Sequence, residues 1–113
     1  MRRAGVILEC LGQRRAHVPR ERIVPGTDSG VGSLAFGHLD YDLQLLVRVG
    51  FTPAEALLSA TRLSAEAIDM ADEIGTITPG KVADLVAFDG DPTRDIGAVS
   101  RVAAVFQAGE SIR

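Results

Sequence analysis

Ile23-Val24-Pro25-Gly26-Thr27-Asp28-Ser29-Gly30 is the stretch on which the reading of this chain turns. A short apolar run, Ile23-Val24, leads into a turn where glycines bracket a lone carboxylate. Residues 23–27 read as a short buried strand. That places Asp28 at the carboxyl end of a strand, where parallel sheets carry their functional groups. A carboxylate there can ligate a divalent metal, or take a proton from metal-bound water as a general base. Asp beside Gly is also an ordinary turn, so locally the turn-only reading stays open.

Downstream, three glycines within 29–37 mark a loop, and Leu39, Leu43, Leu46 and Val47 then recur at helical spacing. Gly50 suits the left-handed position after a helix, so the spacing predicts a helix over 39–49. Thr52-Pro53-Ala54-Glu55 is a strong helix start, with a capping hydroxyl, a proline at the first helical position and a glutamate to complete a capping box. Ala56, Leu57 and Ala60 form a small-residue stripe, and a second short helix is predicted over 65–70. The texture changes at Gly75. Pro79-Gly80 has the type II turn signature, 83–89 reads as an apolar strand, and a hairpin is predicted from 102–107 through Ala108-Gly109 to 110–113. The chain thus divides into a poorly defined segment 1–22, a strand-and-helix unit 23–73, and a strand-only unit 74–113.

Upstream, Arg14, Arg15, Arg20 and Arg22 form a basic cluster that reads as a solvated loop broken by Pro19. The whole chain has 113 residues, 46% hydrophobic and 24% charged, with a net charge of −3, which fits one soluble domain and argues against a nucleic-acid surface. No apolar run approaches a membrane span. The apolar stretch near the N-terminus is short and broken by Glu9, unlike a signal peptide. A lone cysteine, Cys10, excludes an internal disulfide and reads as a structural thiol, which fits a cytoplasmic location.

Other chemistry is sparse. His38 follows the glycine loop near a helix start, where it either faces a pocket and a substrate or is simply a surface histidine. His17 lies in the arginine-rich loop. There is no His-x-His pair, no Cys-x-x-Cys, no P-loop and no nucleophile elbow. A catalytic zinc needs about three protein ligands, and no spaced set supplies them. Asp84 reads as structural, pairing with Lys81 or accepting from backbone amides in a turn. Asp89, Asp91 and Asp95 read as turn-makers, since their spacing fails the calcium-loop pattern.

Several of these pieces, in this order, resemble the C-terminal part of the amidohydrolase superfamily, nearest to its imidazolonepropionase-like and Xaa-Pro dipeptidase-like hydrolases. The carriers are Gly26-Thr27-Asp28-Ser29-Gly30, Gly50-Phe51-Thr52-Pro53-Ala54-Glu55-Ala56-Leu57, Ala60-Thr61, Gly75-Thr76-Ile77, Pro79-Gly80-Lys81-Val82-Ala83-Asp84-Leu85-Val86 and Asp89-Gly90-Asp91-Pro92, with Val105 and Gly109. The resemblance covers residues 23–113. It implies an α/β fold: the last strand and helices of a (β/α)8 barrel plus part of a small flanking β-sandwich. It implies a metal-dependent hydrolase of C–N bonds in cyclic amides or dipeptides. Asp28 would be both metal ligand and water-activating base, the metal being zinc by resemblance.

A full barrel takes about 250 residues, and the family's other metal ligands have no counterpart here. The expectation is therefore a portion of such an enzyme, inactive alone, acting on a small-molecule substrate when complete. The rival expectation is a non-catalytic module that needs a partner chain or self-associates through exposed apolar helix faces.

Overall fold

The computed structural model describes residues 19–27 and 36–113. Three helices come first: α1 (Leu39–Arg48), α2 (Pro53–Ala60) and α3 (Arg62–Ala67). Three antiparallel strands follow in the order β1 (Leu85–Phe88), β2 (Val102–Gln107), β3 (Glu110–Ser111). Short 3-10 helices lie at Arg20–Arg22 and Ile96–Ser100. The described residues are thus a small α/β assembly with one open three-stranded sheet.

α1 ends as its sequence dictates. Gly50 takes φ +104°, and the amides of Gly50 and Phe51 donate back to Val47 and Leu46. This is the Schellman pattern, and it delivers Phe51 into contact with the same core as Leu46. The buried stripe of α1 is wider than the spacing predicts: Leu43, Leu45 and Leu46 are buried, whereas Leu39 is 43% exposed. α2 starts on the predicted capping box. Glu55 N donates to Thr52 Oγ1 at 3.2 Å, and Thr52 N donates to Glu55 Oε2 at 2.7 Å. Such a cap contributes about 1 kcal/mol.

α3 begins three residues earlier than predicted. Thr61 is its N-cap in position only, because its hydroxyl donates back to Leu57 O at 2.8 Å instead of capping α3. Asp69, at φ +57°, ends it in a second Schellman pattern, with Met70 N donating to Ala65 O. The next turn returns across α3 through Gly75, whose φ is +89°. Lys81 then pins this turn. Its ammonium donates to Ala71 O, to Ile74 O at 3.3 Å and to Thr76 Oγ1 at 2.7 Å.

Gly80 has φ +93° and Lys81 N donates to Thr78 O, which is the predicted type II turn. Ala108 and Gly109, both at positive φ, form the two-residue hairpin loop that matches strand twist. Asp84 accepts from Ala108 N at 2.8 Å, so of its two predicted structural roles it takes the backbone-amide one, at the hairpin loop. Pairing runs from Leu85↔Phe106 to Phe88↔Val102, with a bulge between Ala87 and Phe88. The strand predicted over 83–89 is trimmed to four residues.

The expected strand over 23–27 is not formed. Ile23 has extended dihedrals, but no described strand lies beside this segment, and a strand without a neighbour has no ladder. Ile23 instead packs against a core of Leu43, Leu46, Phe51, Ala56, Ile96 and Val99. Ile96 and Val99 bring the second 3-10 helix into the helices' core, and Phe88 packs against it from β1. Among the described residues no helix is long and apolar enough to cross a membrane.

Candidate functional site

Asp28 lies outside the described residues, so its surroundings are approached from the segment that precedes it. The amide chain reaches it through Gly26 and a half-buried Thr27. His38 is exposed at the residue before α1 and makes no capping bond with its side chain. Its carbonyl accepts from Tyr41 N at 3.1 Å. Among the described residues no group of three histidines, cysteines or carboxylates could hold a metal. The described residues therefore hold no full ligand set for the metal centre that the resemblance implies, and Asp28 is not among them. Cys10 and His17 also lie outside the described residues.

Of the aspartates read as turn-makers, Asp91 and Asp95 hold turns with their side chains. Asp91 Oδ1 accepts from Thr93 N at 2.9 Å and Thr93 Oγ1 at 2.6 Å, bonds that hold its carboxyl below the usual range. Asp95 Oδ1 accepts from Gly97 N at 2.9 Å. Asp89 carries its contacts on the backbone, receiving Arg101 Nε at 2.9 Å.

Two features were not legible in the sequence. The first is a cleft of about 220 Å³ lined by Arg20, Phe51, Glu55, Leu58 and Arg62 among others. Arg20, read with its neighbours as a solvated cation, is half-buried here. Its guanidinium lies 5.2 Å from the Phe51 ring centroid, and Nη1 donates to Glu55 Oε2 at 3.1 Å. The Glu55 carboxyl is held below its ordinary range chiefly by the Thr52 amide, with Arg20 adding to the effect. Glu55 at the third helical position signals the cap, but nothing local announces a partner 35 residues upstream.

The second is Asp42. Its Oδ2 is shut off from solvent and has no hydrogen-bond partner among the described residues. Burial, and then the charge of Asp40, push its pKa above the ordinary 3.8. The folded chain therefore binds more protons here than the unfolded chain, and stability falls as pH rises. The contribution of the neutral form is complete below pH 3.8 and is lost as pH rises through the raised value. Asp42→Asn is expected to remove this slope. Thermal melts between pH 3.5 and 7 should show the variant gaining on the wild type as pH rises. Parallel pH profiles would show that Asp42 carries no such penalty.

Comparison with known proteins gives the class. The amidohydrolase family profile matches residues 16–112, and this chain belongs to that family. It is 34% identical over 97 residues to the imidazolonepropionase of Desulfotalea psychrophila, covering 82% of this chain and 23% of that protein. It is 30% identical to the adenine deaminase of Rubrobacter xylanophilus, covering 99% of this chain and 19% of that protein. Among solved structures, a Xaa-Pro dipeptidase with methionine bound in its active site superposes with a TM-score of 0.80 at 29% identity, covering 95% of this chain and 25% of that one. The chain thus spans about a quarter or less of the length of these relatives.

Proposed function

We propose that this chain contributes the last strand position and the following helices of a metal-dependent amidohydrolase acting on C–N bonds, of the cyclic amide or dipeptide type. The observation that carries the reading is the family match across residues 16–112, which includes Gly26-Thr27-Asp28-Ser29-Gly30. The similar proteins named as imidazolonepropionase, adenine deaminase and Xaa-Pro dipeptidase all act on C–N bonds, which supports the reaction class. Asp28 is the residue assigned to the site, as a metal ligand and the base that accepts a proton from the attacking water. The metal in this reading is a divalent ion, zinc by resemblance, and the other ligands are not supplied by the described residues. His38 is kept as a secondary candidate for substrate contact, supported by its exposure beside the glycine loop. A cytoplasmic setting, supported by the single cysteine, belongs to the same reading.

The second reading is a module that acts only with a partner or a second copy. It is favoured by the exposed apolar side chains of the helical half: Phe36 is 80% exposed, Ile68 60% and Tyr41 48%.

Purified 113-residue chain with added zinc is expected to turn over neither a cyclic amide nor a Xaa-Pro dipeptide, and to associate in light scattering. Turnover abolished by Asp28→Asn would overturn the incompleteness while supporting Asp28. A monomer with a sharp thermal transition would overturn the association.

A further inference from the structure

We propose that Lys81 is a charge-dependent latch. Its ammonium holds the loop 73–82 closed where the helices pass into the sheet, and loss of that charge releases the loop while the helices stay folded.

The loop needs a latch. Its ends meet through one backbone bond, from Val82 N to Glu73 O at 2.9 Å. No helix or strand lies between those ends, which is the form of an Ω-loop. Glu73 N and Ile74 N donate back to Met70 O, and Lys81 N donates to Thr78 O within the type II turn. From Thr76 to Gly80 every residue is exposed, Ile77 by 90%, so burial adds little at the tip. The inner side of the loop is carried by half-buried Ile74, Gly75 and Lys81.

The Lys81 side chain fills that inner side. Its ammonium has three hydrogens to give, and each has an acceptor: Ala71 O, Ile74 O at 3.3 Å and Thr76 Oγ1 at 2.7 Å. All three acceptors are neutral. Among the described residues no carboxylate pairs with this ammonium, so its charge is spent on the loop oxygens. The charge strengthens each of these bonds over a neutral donor's. The residue type agrees with the geometry. Lys81 is the only lysine in the chain, and every other Lys or Arg position holds arginine. A guanidinium spreads its donors in a rigid plane, whereas a compact ammonium on a flexible stem can meet oxygens that converge on one nitrogen. Without it those oxygens turn to water when the loop opens, and a surface loop can open without the rest of the fold.

The test is hydrogen exchange on the full 113-residue chain, read at the amides of Ile74 and Val82 in the loop and of Leu45 and Leu46 in α1. Lys81→Met keeps an unbranched stem and loses the charge. It should speed exchange at Ile74 and Val82 about tenfold or more, as expected for losing bonds to a charged donor, and leave Leu45 and Leu46 unchanged. Lys81→Arg, which keeps the charge but flattens the donor set, should fall between Lys81→Met and the wild type. Thr76→Val removes one acceptor at an exposed position and leaves the lysine in place, so it should give a smaller rise at the same two amides. Unchanged exchange at Val82 in both Lys81→Met and Thr76→Val would overturn the proposal. An equal rise at Leu45 and Leu46 would also overturn it, since that marks a general loss of stability. Exchange as fast in Lys81→Arg as in Lys81→Met would overturn the dependence on charge.

Discussion

Replacing Phe51 with alanine is expected to destabilise the chain by about 3–5 kcal/mol. Phe51 is 7% exposed and touches the cluster that joins α1, α2 and the second 3-10 helix. It also closes the Schellman end of α1, and its ring carries the Arg20 guanidinium. Alanine loses the transfer free energy of the ring and leaves a cavity in the cluster of Leu43, Leu46, Ala56, Ile96 and Val99. Domains of this size have a total stability of about 5–15 kcal/mol, so the loss is a large share of it. Denaturant melts should show a fall in midpoint with little change in slope. Phe51→Leu, which keeps most of the apolar volume, should lose clearly less. A loss under about 1 kcal/mol for alanine would mean that Phe51 does not hold the helices together.

Gly75→Ala should cost about 2–5 kcal/mol, the sum of two separable effects. The first is backbone: φ is +89°, and an L side chain in the left-handed region costs about 1–2 kcal/mol. The second is space. A Cβ at Gly75 would lie 2.6 Å from Ala65 Cβ and 3.2 Å from both Arg62 Cα and Thr61 O. None of these is the tip of a flexible side chain, so α3 itself must move, an overpacking cost of about 1–3 kcal/mol. Gly80 is the control, since it has φ +93° and nothing within 4 Å. Gly80→Ala should show the backbone cost alone. Each kcal/mol lowers the Tm by about 4–8 °C in a domain of this size, so a calorimeter separates the two variants. Equal losses at both positions would remove the close approach of Gly75 to α3 as a stabilising feature.

The helices were legible because each carries its own boundaries. Gly50, Thr52, Pro53 and Glu55 encode an end and a start within six residues, and the structure uses all four as read. The hairpin loop at Ala108-Gly109 and the Pro79-Gly80 turn were legible for the same reason, since a positive φ is a local demand. The start of α3 was misread because Thr61 can bond in two directions. Its hydroxyl turned back to Leu57 rather than forward to α3. The strand over 23–27 does not form among the described residues: Ile23 packs on the core, Val24 is 40% exposed, and no described strand lies beside them.

Asp42 and Arg20 show the remaining limit. Both look like ordinary surface charges in the sequence. The neighbours that shut off Asp42 Oδ2, and the ring and carboxylate that seat Arg20, exist only once the chain has closed on itself.

By itself the sequence determined the family, the order of helices before strands, the capping box, the turns, and Asp28 as the one carboxylate set among glycines. These follow from short-range spacing and backbone stereochemistry. Tertiary structure alone decided that the last 3-10 helix joins the helical core, that Gly75 must be glycine for α3 to lie against it, and that a half-buried Arg20 lies against Phe51 and Glu55. Those outcomes depend on which surfaces meet, and contacts between residues 35 or more apart leave no periodic trace along the chain.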